Sequence, residues 1–250
     1  MATFFQYIPL FQRILCNTIS LQFMEVLATS NFQPDVIIWG LRIGEPVIAL
    51  SGMLVSLVCF NAWFQLGKSG SKDDALRLSR IFFLLTGIST FIGGIVGHAF
   101  LYALPFAFKI PGWSLGMIAV SALEQASTVR SRAILGDKMV RIITWINITA
   151  LTLALWFVST TLWFPIVEIH SAIGFLLVVL PLEILLIVKT RSRGGREILW
   201  GILLLVGAVL VHLLKISWSV WFSFFDIGHL FMCAAMWKIM LGTAEHEKFS

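Results

Sequence analysis

Charge is what this chain has least of. Of its 250 residues only 12% are Asp, Glu, Lys or Arg, against 58% hydrophobic, and the mean hydropathy is +0.92. So little charge excludes an ordinary water-soluble domain of this length. Cysteine is scarce as well: Cys16, Cys59 and Cys233 are an odd set without close spacing. That excludes a disulfide framework and leaves Cys59 and Cys233 as small apolar residues within apolar spans. There is no phosphate-cradling glycine loop, no zincin helix and no serine-nucleophile elbow. The basic residues are scattered over short loops rather than gathered on one face, which excludes nucleic acid as a partner. A secretory signal is not expected either. Arg13 is the only basic residue near the N-terminus, and Pro9 interrupts the apolar run.

What is present is length in apolar runs. Seven spans stand out, at 44–66, 79–104, 112–133, 142–161, 165–188, 197–214 and 217–241. Each approaches the ~20 residues that a helix needs to cross ~30 Å of hydrocarbon. Irregular backbone cannot face lipid, so the spans must be helices. The basic residues fall on alternate gaps. Lys68, Lys72, Arg77 and Arg80 follow span 1; Arg130, Arg132, Lys138 and Arg141 flank the gap after span 3; Lys189, Arg191, Arg193 and Arg196 follow span 5. The opposite gaps hold only Lys109 and Lys215, so the balance is twelve to two. Basic loops stay cytoplasmic. The expected fold is an all-α, polytopic membrane protein: a seven-transmembrane-helix bundle with its N-terminus outside and its C-terminus cytoplasmic. Trp39, Trp113, Trp163, Trp218 and Trp221 then map to the outer boundary as an aromatic belt. Gly93, Gly94 and Gly97 offer a small face for close helix approach.

Three parts are expected. Residues 1–34 form an interfacial segment, with Phe4, Phe5, Ile8, Phe11, Leu15, Ile19 and Phe23 near helical spacing. Its apolar face suits the membrane surface or another membrane subunit. Residues 35–243 form the seven-helix domain, and residues 244–250 a solvated tail that includes His246.

Ionisable residues inside a bilayer are costly, so each needs a reason. They are Glu45, His98, Glu124, Glu168, His170, Glu183, His212, Asp226 and His229. With the topology above, all but Glu183 fall in the outer half or near the midplane. That segregation implies one polar cavity opening outward. Asp226 and His229, three apart, share a helix face. They suit two metal ligands, or a carboxylate that orients an imidazole. Glu168 and His170, two apart, do not share a face. Glu183 follows Pro181, with no role evident.

The arrangement resembles the CREST superfamily of seven-helix membrane hydrolases, which includes the alkaline ceramidases and the adiponectin-receptor-like proteins. Glu45 and Ser51 fall at the Glu and Ser of the helix 1 motif Glu-x-x-Asn-x-x-Ser-Asn, with Ile48 in the Asn position. His98 falls at the end of span 2, Glu124 stands where helix 3 carries an acid, and His229 opens the helix 7 motif His-x-x-x-His. Gly94 replaces the serine four before His98, and Cys233 replaces the second histidine. The resemblance implies zinc held by His98, His229 and one of Asp226 or Cys233. Glu45 or Glu124 would be the catalytic base or an orienting group. A second resemblance, to cytochrome b561-type proteins, rests on His170-Ser171-Ala172-Ile173-Gly174 and Gly97-His98-Ala99. It implies a b-type haem between two imidazoles. The missing serine and second histidine favour a non-catalytic accessory or lipid-binding protein of the CREST-like fold. The alternatives are a zinc-dependent lipid amide or ester hydrolase, and a haem-binding membrane protein. Its expected partners are membrane lipids, and whether it is an enzyme is left open.

Overall fold

The computed structural model describes residues 33–247. The expectations for the N-terminal segment, for Cys16 and for the last three residues lie outside them. Seven helices are long and apolar enough to cross a membrane. They are α1 Pro46–Gly67, α2 Asp74–Ala99, α3 Phe106–Arg130, α4 Asp137–Thr161, α5 Pro165–Thr190, α6 Arg193–Leu213 and α7 Phe224–Glu247. Short connections make neighbours antiparallel. One end of the bundle therefore gathers the starts of the odd helices; we call it the Glu45 end, and the opposite one the Arg130 end.

Several boundaries depart from the apolar runs by five residues or more, and the starts of α2 and α7 show why. α2 starts at Asp74 rather than at 79. The Asp73 carboxylate accepts from the Leu76 amide at 2.8 Å, a side-chain N-cap that extends the helix through the polar residues Asp74 and Arg77. α7 starts at Phe224 rather than at 217. Residues 217–223 are apolar enough to read as helix, but their serines give the backbone other partners. Ser217 Oγ accepts from the Phe224 amide at 3.0 Å, and Ser219 Oγ accepts from the Phe222 amide at 3.0 Å. At the other terminus α7 continues to Glu247, so His246 is helical rather than part of a loose tail.

Two strands, β1 Val36–Ile38 and β2 Leu41–Ile43, form a hairpin before α1. Trp39 and Gly40 make its turn with positive φ of 51° and 81°. Positive φ at both turn positions matches the twist of paired strands. The Gly44 amide bonds the Ala99 carbonyl at 2.9 Å, and the Tyr102 hydroxyl bonds the Arg42 carbonyl at 2.7 Å. The hairpin is thereby fastened to the end of α2.

Six helices close a ring in the order α1, α2, α3, α5, α6, α7 and back to α1, while α4 lies outside against α3 and α5. The ring is filled by Val55, Cys59, Phe82, Phe83, Leu123, Ile198, Ile202, Met236 and Ile239. Lipid is as apolar as these side chains, so close fit rather than escape from water holds the helices together. Glycine supplies that fit at two crossings. A Cβ on Gly94 would sit 2.9 Å from the Ala49 carbonyl oxygen, and one on Gly242 would sit 2.6 Å from the Gly194 carbonyl oxygen. Gly93 and Gly97, expected to share the first crossing, meet nothing within 4 Å. Two helices contain π turns, Ile95–Ala99 in α2 and Gly174–Val179 in α5. Each inserts one residue into the turn and re-aims the side chains around it.

Candidate functional site

Six of the nine ionisable residues divide into three groups rather than one outward cavity, and Glu168, His170 and His212 stand apart from them. The first lies at the Glu45 end, where α1, α2 and α7 meet. Gln33 is 1% exposed and supplies the cap of α1: its Oε1 accepts from the Val47 and Ile48 amides at 3.0 and 3.1 Å. Glu45, expected as a helix-start carboxylate, makes no side-chain cap. It has positive φ of 41° and accepts instead from His98 Nδ1 at 2.7 Å. The π turn that carries His98 is what brings α2 to this contact. The His98 ring also meets the edge of Phe225, with centroids 5.7 Å apart.

Asp226 is fully buried, yet well supplied with donors. Its Oδ2 accepts from the Ser223 amide at 2.7 Å, the Ser223 hydroxyl at 2.8 Å and Gln33 Nε2 at 2.9 Å. Its Oδ1 accepts from the Ser51 hydroxyl at 2.9 Å. Two donors come from the start of α7 itself, the geometry of a side chain in the first turn reaching back to the cap. Because α7 begins at Phe224, Asp226 lies at the helix end and not partway into the span. Ser51 Oγ is also 2.8 Å from His229 Nδ1 and 3.1 Å from the Ile48 carbonyl. Its single hydrogen is donated to Asp226 Oδ1. His229 then donates from Nδ1 to Ser51. Asp226 and His229 therefore share a face as expected but are joined through Ser51, not to each other. His229 lies over a small notch, its Cε1 3.6 Å from where a Cβ on Gly52 would stand.

This group has the outer half of a metal site. Glu45 behind His98, and Ser51 behind His229, resemble the hydrogen-bonded partners that orient metal-bound imidazoles. The ligand set itself does not fit zinc. Among the described residues no three His, Cys, Asp or Glu side chains converge closely enough to hold a metal ion. Both Asp226 oxygens are spent on protein donors, and Cys233 packs against the apolar core one turn deeper. Nor do His98 and His170 face one another as haem ligands would. His98 turns to α1 and α7, whereas His170 Nε2 meets Ser121 Oγ and the Met117 carbonyl of α3, each at 3.3 Å. Glu168 is exposed, as its offset from His170 implies. His212 packs edge-on against Phe224 and Phe225.

The second group is Glu124 with Asn147. α4 buries Val140, Asn147, Ala154 and Val158, a stripe that faces α3. Asn147 Nδ2 donates to the Ser121 carbonyl at 3.0 Å and to Glu124 Oε2 at 3.1 Å. Glu124 is only six residues from the end of α3, about 9 Å at 1.5 Å per residue, so it lies toward the Arg130 end and not at the midplane. Gly174, at the start of the α5 π turn, makes room for it: a Cβ there would meet Glu124 Oε1 at 2.5 Å. Beside this pair a crevice of about 210 Å³ runs between α4 and α5, lined by Glu124, Ile143, Ile146, Asn147, Leu177, Val178, Pro181 and Leu182. Its lips, Ile146 and Leu177, are 63% and 69% exposed and would face lipid.

The third group closes the Arg130 end. Glu183 is fully buried and accepts from Arg130 Nη1 and Ser127 Oγ, both at 2.7 Å, and meets His246 Nε2 at 3.2 Å. Arg130 Nη2 donates to Ser79 Oγ at 2.7 Å. Four helices, α2, α3, α5 and α7, are tied by one ion-paired cluster. The sequence left Glu183 without a role and read Arg130 and His246 as surface charges.

The fold and these groups define a multi-pass helical membrane protein with polar clusters between its helices. The chain belongs to a family of unknown function, DUF6962, whose model matches residues 47–248. The match spans the polar residues of all three groups except Gln33 and Glu45, which lie just before it. Comparison with curated proteins and with solved structures gave no match.

Proposed function

We propose that this protein is a non-catalytic, lipid-binding membrane protein of CREST-like layout, with its N-terminus outside and its Arg130 end in the cytoplasm. The orientation rests on the charge balance of the loops, twelve basic residues at one end against Lys109 and Lys215 at the other. The additional Arg42 at the Glu45 end is paired with Asp35. The CREST-like reading is supported by Glu45, Ser51, His98 and His229, which share one end of the bundle on the three helices that the resemblance implies. The saturation of Asp226 by four protein donors favours a structural role for that cluster over hydrolysis.

The observation that carries lipid binding is the crevice between α4 and α5. A carboxyl group and an amide at the floor of a cleft open to hydrocarbon are costly unless something uses them. Apolar walls with a few polar groups at the base are the usual form of a small-molecule site. The matching ligand is a lipid with one hydrogen-bond donor, a hydroxyl or an amide N–H, which Glu124 accepts while the chain lies between Ile146 and Leu177. Lipids retained on the purified protein test this by native mass spectrometry. Wild type should keep a hydroxyl- or amide-bearing lipid that Glu124→Leu loses and that Val178→Trp, which fills the cleft, also loses. Retention unchanged in both variants would refute the proposal.

A further inference from the structure

The connection between α1 and α2 borders a second cavity, of about 370 Å³, lined by Ser71, Lys72, Leu76, Arg77 and Arg80. Three cations and a hydroxyl line it, and no carboxylate does. Of the nearby acids one is engaged away from the cavity and one pairs weakly with the lining residue Arg77. Asp73 caps α2 through Leu76, and Asp74 meets Arg77 at 3.2 Å in a pair exposed to solvent, which holds weakly. Four basic side chains elsewhere in the bundle have carboxylates: Arg42 has Asp35, Arg130 has Glu183, Arg132 has Asp137 and Lys238 has Glu197. Among the described residues Lys72 and Arg80 form no ion pair. Arg80 Nε is buried and has no hydrogen-bond partner there.

Arg80 is nonetheless held in place. Its guanidinium lies 5.9 Å from the centre of the Trp63 ring. It rests against the end of α1, where Gly67 leaves it space: a Cβ on Gly67 would be 2.8 Å from Nη2. A guanidinium fixed beside a lysine and a serine hydroxyl, without a carboxylate, is suited to a phosphate.

We propose that this cavity binds a phosphate monoester, and that the phosphate is the head group of an anionic membrane lipid. Position favours the lipid over a soluble phosphate. The cavity lies where α1 ends and α2 begins, level with lipid head groups, and the next residue along α2, Ile81, is exposed on the flank where an acyl chain would run. The site is distinct from the α4–α5 crevice and does not depend on it.

The test uses the full chain in nanodiscs of phosphatidylcholine doped with phosphatidic acid, with protein-bound lipid read by native mass spectrometry. Phosphatidic acid should be enriched, and Lys72→Gln and Arg80→Gln should each lower the enrichment about fivefold, the effect of one basic group at the membrane surface. Lys72 is exposed and unpaired, so that variant keeps the fold even if Arg80→Gln does not. Lys138→Gln removes the same charge from an exposed position outside the cavity and should change little. A second arm titrates inorganic phosphate onto protein in pure phosphatidylcholine nanodiscs. Phosphate binding as tight as the lipid's and lost in Lys72→Gln would keep the phosphate site but overturn the lipid as its source. Equal losses in Lys72→Gln and Lys138→Gln, or none in either cavity variant, would overturn the site itself.

Discussion

Removing one member of the Arg130–Glu183 pair should destabilise the bundle far more than removing both. Glu183 is fully buried, and the Arg130 side chain is 8% exposed, so neither charge can be handed to water without moving helices. Arg130→Met leaves the Glu183 carboxylate with only Ser127 and His246. Glu183→Leu leaves the guanidinium with only Ser79. Breaking a buried pair from one side costs roughly 3–5 kcal/mol, whereas replacing both partners by apolar residues is often neutral. For a chain of this size each kcal/mol moves the melting temperature by about 2–4 °C. Each single variant should therefore melt roughly 6–20 °C lower than wild type. The double variant should recover most of that, because only Ser79, Ser127 and His246 lose partners. The assay is thermal unfolding in one detergent at one scan rate, since membrane proteins often unfold irreversibly and Tm then depends on the rate. Single variants within about 3 °C of wild type, or a double variant that melts below both singles, would refute the view that this cluster fastens the Arg130 end.

Two further outcomes are expected. Asp226→Leu should cost several kcal/mol, because it strands the Ser223 amide and hydroxyl, at roughly 1–3 kcal/mol for each donor that stays buried and unpaired, while Gln33 Nε2 keeps the Trp221 carbonyl and Ser51 the Ile48 carbonyl; Asp226→Asn, which keeps one acceptor oxygen, should melt between Leu and wild type, and equal melting of Leu and wild type would contradict the bonding described. Cysteines placed at the exposed positions Ser71 and Ala107 should label from opposite sides of sealed cells, with Ala107 reacting from outside, and labelling of Ser71 from outside would reverse the topology.

The seven helices were legible because a membrane imposes one strong rule, and length and hydropathy carry it. The meeting of Glu45, Ser51, His98 and His229 at one end was legible for a related reason: alternating helix direction turns sequence position into depth. What escaped was set by backbone bookkeeping and by distant partners. Gln33 falls in the expected interfacial segment, yet it caps α1 and bonds Asp226, which is 193 residues away. The apolar stretch 217–223 reads as helix until its serines are seen to bond the backbone. That late start moved Asp226 from within the span to its end. The early start of α3, at Phe106 rather than 112, moved Glu124 the other way and dissolved the single outer cavity. Neither π turn has a sequence signature, although one aims His98 and the other makes space for Glu124.

The two ends of the bundle solve the same problem by different means, and the difference follows from charge. At the Glu45 end most donors to the carboxylates of Glu45 and Asp226 are groups other than lysine or arginine: serine hydroxyls, an amide side chain, a backbone N–H and the His98 imidazole. Such a network can be satisfied without importing a fixed cation, which suits an end with few basic residues. At the Arg130 end basic residues are abundant, which is what the proposed cytoplasmic placement of that end rests on. One of them, Arg130, is drawn inward to meet Glu183, which is the condition for burying that carboxylate at all. Others form no ion pair among the described residues, Lys72 and Arg80 among them. A basic group that no carboxylate of the described residues pairs is free to take an anion from outside the chain. The membrane is the nearest source of one.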